Sequence, residues 1–564
     1  MNLQEKLFDT QLLKEAQHVV TQLHNQRSQY EPTWQDLSKY IFPYRGRFNE
    51  EQHTRDGERR DNYLINPYPM NAVSRCAAGL HSGLTSPSRP WFELSLQDNE
   101  KAQYHPVRMW LDEVHDIMMA IYARSNTYAM LYHIEHEMSQ FGTAANLMLQ
   151  DYNTAIYHIP FTCGTYCGGV DARGRVTTFA RRFSMTARQL VAEFGIDAVS
   201  QSVRNAYYQQ NYTTMFDVEM LITKNDNYNP EKLELGNFPW RAVYYEKGTN
   251  ERFLRISGYH EQPFLMPRWH VVAGEVYGTG PGHMALGDCM QLQRLERNKL
   301  RSTDNVSDPA MMFPASAKKV STLPGSKNFL PDGTQMQAYP LIPPNAKPYE
   351  GIMMLVQEKE GSIGSAFYND LMAMLTSQNH PQMTAREIAE RHEEKLLLLG
   401  PVLEQFHGEV LEPMTKRSFG ICLRNGLFPP MPEEITEDEL KVNFVSLLAQ
   451  AQKMAAMPAV EETLGLVGNL AAVYPDVLDN INADEAIRLA ANIKGTPEKI
   501  LRSEDEVEEL RKQRAEAQQQ QMQAEQMAAM AQPAKDMAQA ARLMSETPTN
   551  GAGNALADML GGIV

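Results

Sequence analysis

The run MALGDCMQLQRLERNKLRSTD at 284–304, the eight prolines between Pro309 and Pro348, and the run EGIMMLVQEKEGSIGSAFYNDLMAML at 350–375 together decide the architecture. In the first run Leu286, Cys289, Met290, Leu292 and Leu295 recur at helical spacing and predict one apolar side. Arg294, Arg297 and Arg301 stand at i, i+3 and i+7, so they also share a face. In the second run Ile352, Leu355, Val356, Ile363, Phe367, Leu371 and Leu375 predict a single helix. The prolines between them lack amide donors and crowd a preceding turn, so that segment reads as a compact irregular or β insert. The order is helix, insert, helix.

Downstream, Thr376-Ser-Gln-Asn-His-Pro-Gln-Met breaks the pattern, and Thr384 with Glu387 forms a capping box that starts a third helix. That helix is expected to reach Cys422 and to kink near Gly400-Pro401 and Pro413. Residues 433–516 read as helical again, broken at Pro458, Pro475 and Pro497. Residues 518–544 are rich in Gln, Met and Ala, a composition open to helix, and 547–564 are Gly-rich and expected to be disordered.

Upstream, apolar spacing from Leu3 to Ile41 predicts two helices interrupted at Pro32, then a charged loop over 43–63. Further helices are expected over Asn71–Leu84, Pro106–Ala123 and Tyr128–Gly142. From Ala144 to Tyr277 short β-branched runs separated by Gly and Pro predict strands at 155–161, 176–183, 216–223, 240–246 and 253–259. Two short helices interrupt them, at 186–194 and 200–208. The predicted fold class is α+β, mostly helical.

At 564 residues the chain exceeds one compact domain, and several modules are expected. The opening MNLQEKLFDTQ lacks the regions of a signal peptide, and no apolar run is long enough to span a bilayer, so a soluble protein with no membrane partner is expected. Five scattered cysteines suggest free thiols rather than a disulfide framework. A formal charge of −16 argues against a general nucleic-acid-gripping surface, so any DNA contact is expected to be local.

The sequence carries no catalytic constellation. Gly278-Thr-Gly-Pro-Gly lacks phosphate-loop spacing, and Pro281 has no amide to donate. His133 and His136, flanked by Glu135 and Glu137, lack zinc-protease spacing and read as an amphipathic helix surface. Cys163 and Cys167 have no second pair to complete a metal site, and no Gly-x-Ser-x-Gly elbow organises a triad. No catalytic residue, metal or cofactor is expected.

Four segments resemble a known family. WQDLSKYIFPYRGRF at 34–48 and AAGLHSGLTSPSRPWF at 77–92 resemble motifs of the podovirus head-to-tail connector (portal) family of bacteriophages. Tyr277-Gly-Thr-Gly-Pro-Gly before a helix looks like the start of a portal stem, and LGPVLEQFHGEVLEPM at 399–414 resembles the long helix after the channel loop.

The resemblance implies a portal fold in a homo-dodecameric ring. Its wing would be residues 1–283, stem helices 284–304 and 351–375, and clip 305–350. The channel loop would be 376–383, the long wing helix 384–432, the helical crown 433–517 and the low-complexity tail 518–564. Implied partners are double-stranded DNA in the channel, the major capsid protein, scaffolding protein, terminase and tail adaptor proteins. The implied location is the virion portal vertex between capsid and tail, with host cytoplasm during assembly. On this mapping Arg294, Arg297 and Arg301 face either channel phosphates or carboxylates of neighbouring subunits. Gln378, Asn379 and His380 are channel-loop candidates that could brush DNA, and Lys318, Lys319 and Lys327 are clip-contact candidates. Another virion component, such as a tail or internal ejection protein, is the alternative.

Overall fold

The computed structural model describes residues 10–48, 59–96, 104–231, 237–248, 252–307, 311–312, 321, 339–340, 349–376, 400–432 and 440–444, and towards the C terminus 463–470, 474, 482, 484–487 and 504–546. The chain divides into two units, Met1–Ala102 with Trp110–Glu461, and Gln103–Met109 with Glu462–Val564.

The first unit opens with α1 (Thr10–Ser28) and α2 (Glu31–Tyr40). Pro32 occupies the first turn of α2, where its missing N–H has no helical partner to lose. It therefore starts the second helix rather than interrupting a first. Next come α3 (Tyr68–Leu84), β1 (Phe92–Leu96), α4 (His105–Arg124) and α5 (Thr127–Phe141).

A β-rich portion follows, as the alternating runs predicted. It comprises β2 (Ala145–Asp151), β3 (Ala155–Phe161), β4 (Tyr166–Val170) and β5 (Val176–Thr186), then α6 (Ala187–Phe194) and α7 (Gln201–Tyr208). It ends with β6 (Met215–Lys224), β7 (Trp240–Glu246), β8 (Arg255–Tyr259) and β9 (Phe264–Leu265). Thr186 caps α6 through a reciprocal capping box with Gln189, and Ser200 caps α7. Strands β4 to β8 form an antiparallel meander in sequence order, and β2 is flanked by β3 and β9 in a second sheet. Leu13, Ala16, Val20 and Leu23 of α1 form one buried cluster with Cys167, Ala180, Leu221 and Val243 of the meander. Burying Leu13, Val20 and Leu23 contributes about 1.5–3 kcal/mol each.

The helix, insert, helix order holds with one correction. α8 (Pro281–Ser307) leads to β10 (Met311–Met312), which pairs antiparallel with β11 (Tyr339–Pro340) and so zips the ends of the Pro-rich insert. α9 (Tyr349–Ala366) then stops, and α10 (Asn369–Thr376) begins after Phe367 and Tyr368. The single helix expected over 350–375 is two, because Tyr368 adopts a left-handed φ of 55° that no helical turn accommodates.

α11 (Gly400–Phe406) continues through a π-helical turn, His407–Leu411, into α12 (Glu412–Arg424). The irregularity expected at Pro413 takes this form: the wider turn lies just before a residue that cannot donate an amide. β12 (Leu440–Phe444) is a strand where helix was expected. It pairs antiparallel with β1, Phe92 opposite Phe444 and Leu96 opposite Leu440, and this pairing outweighs the local helical spacing.

In the second unit α13 (Glu504–Glu546) runs unbroken through the Gln/Met/Ala-rich segment. Good helix formers dominate that composition, so the expected boundary at 517/518 is not a structural one. Arg511 clasps Asp484 through two 2.7 Å bonds. Residues 547–564 lie outside the described residues.

Candidate functional site

The start of α8 is fixed by glycines that permit backbone to touch backbone. Gly142, the left-handed C-cap of α5, lies against Gly278 and Gly280; a Cβ on Gly282 would stand 2.0 Å from the Gln140 carbonyl oxygen. The glycine run thus docks α8 on the end of α5, a packing role rather than a phosphate cradle.

From there α8 buries Ala285, Cys289, Leu292, Gln293 and Glu296. Leu286, Met290 and Leu295 from the expected apolar side are only half-buried. The α8–α9 contact is fixed by charge as well as packing. Asp288 accepts from Lys359 at 2.9 Å and from the Ser362 hydroxyl at 2.5 Å, and these two bonds hold its carboxyl below the usual range. The first half of α8 therefore meets the second half of α9, and the two helices run antiparallel.

A polar clamp ties the pair to the segment before α3. Gln293 accepts from the backbone N–H groups of Ile65 (2.7 Å) and Asn66 (2.9 Å), and donates back to the Asn66 carbonyl (2.9 Å). The Asn66 side chain donates to Glu296 of α8 (3.1 Å) and to Glu360 of α9 (2.8 Å). One asparagine therefore bridges both helices. Sequence reading missed this clamp, because Asn66 lies more than two hundred residues from Gln293, Glu296 and Glu360, with no local signal.

Arg294, Arg297 and Arg301 are all exposed. At about 100° per residue they centre roughly 130° around α8 from its buried stripe. No hydrogen bond or ion pair holds any of them among the described residues. Lys299, by contrast, pairs with Glu296 at 2.6 Å. Gln378, Asn379 and His380, and Lys318, Lys319 and Lys327, lie outside the described residues.

The α5 histidines need a correction. His136, Glu135 and Glu137 are buried, not an amphipathic surface. Glu135 accepts from Thr85 (3.2 Å) and contacts His81 (3.1 Å); burial raises its carboxyl pKa and His81 opposes that shift. Glu137 accepts from Arg45 (3.2 Å), the Thr162 hydroxyl (2.8 Å) and the Cys163 amide (3.0 Å). The two carboxyl groups thus join α5 to its neighbours through satisfied hydrogen bonds, whereas neither ring nitrogen of His136 has a hydrogen-bond partner among the described residues, and burial lowers its pKa. Among the described residues no group of three or more His, Cys, Asp or Glu is arranged to hold a metal, and no helix is long and apolar enough to cross a membrane.

The α8–α9 pair, docked through glycines and clamped at one asparagine, bears three exposed arginines that have no partner among the described residues. Against known proteins, the family described as "Bacteriophage head to tail connecting protein" matches residues 13–501. The chain belongs to this head-to-tail connector family. It is 37% identical over 502 residues to the "Probable portal protein" of Bordetella phage BPP-1, covering 88% of this chain and 90% of the relative. It is 36% identical over 505 residues to the "Portal protein" of Salmonella phage epsilon15, with the same coverage. A solved chain described as "Neck of empty GTA particle computed with C6 symmetry" aligns over 80% of this chain and 97% of its own, at 11% identity and a TM-score of 0.35, too low to bear on the argument. The α+β, mostly helical fold is that of a connector-family chain, and the β4–β8 meander and the α8–α9 pair both lie within the family match.

Proposed function

We propose that this chain is the portal subunit of a phage: copies close into a ring at one capsid vertex, and the ring is the channel for genome packaging and ejection and the platform for terminase and tail attachment. The observation that carries this reading is the match, over 88% of the chain, to two proteins described as portal proteins. The ring is dodecameric, sits between capsid and tail in the virion, and assembles in host cytoplasm. Its partners are the major capsid protein, scaffolding protein, terminase and tail adaptors. Its role is structural rather than enzymatic.

In this reading α8 and α9 are the stem and the insert closed by β10 and β11 is the clip, with Lys318, Lys319 and Lys327 as clip contacts. Residues 1–283 and 384–432 form the wing, 376–383 the channel loop, 433–517 the crown, and 518–564 its tail. The charge fits a duplex that must slide. Each phosphate neutralised by a fixed cation adds counterion-release affinity that translocation would have to break. At −16 per copy the ring repels DNA at long range, while local groups such as Arg294, Arg297, Arg301, Gln378, Asn379 and His380 guide it.

Negative-stain imaging of the purified protein, with native mass for the subunit count, tests the proposal. Closed rings with a pore wide enough for a duplex are expected; a persistent monomer under assembly-permissive conditions would overturn it. Within rings, Arg294→Ala, Arg297→Ala and Arg301→Ala separate the two roles of the arginines. Lost assembly places them between subunits, and intact rings with altered packaging rate place them at the channel.

A further inference from the structure

A recess of about 750 Å³ opens beside the first-unit core, where the chain after α2, the end of β3 and the strand β5 meet. Arg45, Arg47, Arg181 and Arg182 converge on it, with Phe161 and Phe183 between them. Three of these arginines, Arg45, Arg47 and Arg182, are engaged within the chain. Arg45 donates to buried Glu137, and Arg182 donates through Nε and Nη2 to Glu219, its cross-strand neighbour on β6 (2.9 and 2.7 Å). In an adjoining smaller recess Asp217 accepts from Ser184 (2.7 Å) and lies 3.7 Å from Lys247.

Arg181 differs from its neighbours. Its guanidinium carbon sits 4.5 Å from the centroid of Phe161 and 4.7 Å from that of Phe183, a cation held between two ring faces. No carboxylate or carbonyl accepts from it among the described residues, and its Nε is buried without a partner. Burial lowers its pKa to about 10, so it stays charged at neutral pH. The two rings hold the guanidinium in place in advance, so less rotamer freedom remains to be lost when an acceptor arrives.

We propose that this groove receives an acidic extended segment from a second copy of the same chain, with Arg181 as the contact that selects a carboxylate. The proposal rests on the ring reading above. Charge complementarity names the occupant: 69 acidic residues face 53 basic ones in this chain, so the groove is a cationic island on an acidic molecule, and a neighbouring copy supplies the opposite sign. A ring of identical subunits also needs two different patches on each copy, one on either side. The groove has the size of an ordinary ligand pocket, which takes a few peptide residues rather than a duplex.

The test is photo-cross-linking in assembled full-length protein, with benzoylphenylalanine replacing Met215, which lines the groove and is 58% exposed. Cross-linked dimers whose mapped partner peptide is an acidic segment of the same chain are expected. In parallel, Arg181→Glu should raise the protein concentration needed for half-assembly by about tenfold or more, the range of an interface arginine anchor, and Arg181→Lys should do so less. Rings that form normally with Arg181→Glu, or cross-links only to nucleic acid or to other proteins, would sink the groove proposal and leave the ring standing. A wild-type chain that forms no ring would sink both. Cross-linking uses the intact arginine, so a misfolded Arg181→Glu variant does not decide the outcome.

Discussion

Removing the Gln293 carboxamide should loosen the clamp at Ile65 and Asn66 before it affects anything else. The side chain is 2% exposed and satisfies two backbone donors and one backbone acceptor at 2.7–2.9 Å. Gln293→Ala leaves all three without their partner, and each buried unsatisfied group costs about 1–3 kcal/mol. Ile65 is 40% exposed, so water recovers part of that loss. A local penalty of about 2 kcal/mol remains, equivalent to a roughly 30-fold increase in local opening. A chain of two units does not melt in two states, so the assay is amide hydrogen exchange over residues 64–66 rather than a melting temperature. Gln293→Glu is the informative partner variant. It keeps an acceptor oxygen for Ile65 and Asn66, but when ionised it loses the donor to the Asn66 carbonyl and places a third carboxylate near Glu296 and Glu360, so it should resemble wild type at low pH and the alanine variant at high pH. Unchanged protection of Ile65 and Asn66 in Gln293→Ala would refute the clamp.

Three further outcomes are expected. Asp288 has a folded pKa below its unfolded value, so its contribution is present above the unfolded pKa and is lost as pH falls through the folded one; exchange in α8 and α9 should accelerate below about pH 4 in wild type, and less so in Asp288→Asn. Gly282→Ala should destabilise the α8 start by about 1–3 kcal/mol through its clash with Gln140, whereas Gly287→Ala, with nothing within 4 Å, should stabilise the same helix by about 0.5–1 kcal/mol; chemical denaturation monitored by exchange in α8 distinguishes them. Glu409 of the π-helical turn accepts from the backbone and guanidinium of Arg268, which is 3% exposed, so Glu409→Ala should cost about 3–5 kcal/mol and Arg268→Met combined with Glu409→Met much less, as read by amide hydrogen exchange in α12 and around Arg268.

What the sequence disclosed follows the range of the forces involved. Helices and strands arise from neighbours a few residues apart, so β3 at 155–161 and β7 at 240–246 were legible to the residue. The order helix, insert, helix was legible because prolines act locally. The break at Tyr368 was not, since aromatic residues seldom take a left-handed φ and no glycine marks the site. The buried charges of α5 read as surface because each partner, His81, Arg45 and Thr162, comes from elsewhere in the chain. The arginines of α8 were correctly placed on one face, while the clamp at Asn66 and the stacked Arg181 depended on contacts that spacing does not encode.

The pairing of β1 with β12 has a consequence for synthesis. Residues 92–96 have no strand partner until residues 440–444 leave the ribosome, a delay of about 350 residues. At roughly 5–20 residues per second that is some 20–70 s during which an apolar strand, FELSL, presents an unpaired edge in the nascent chain. Ladder closure is thus a late event in the biogenesis of this chain, and a polysome holds many copies in that state at once. Such copies can pair with one another edge to edge before they can pair with themselves. Solubility on overexpression should therefore depend on translation rate, with slower elongation at residues 97–439 lowering the yield.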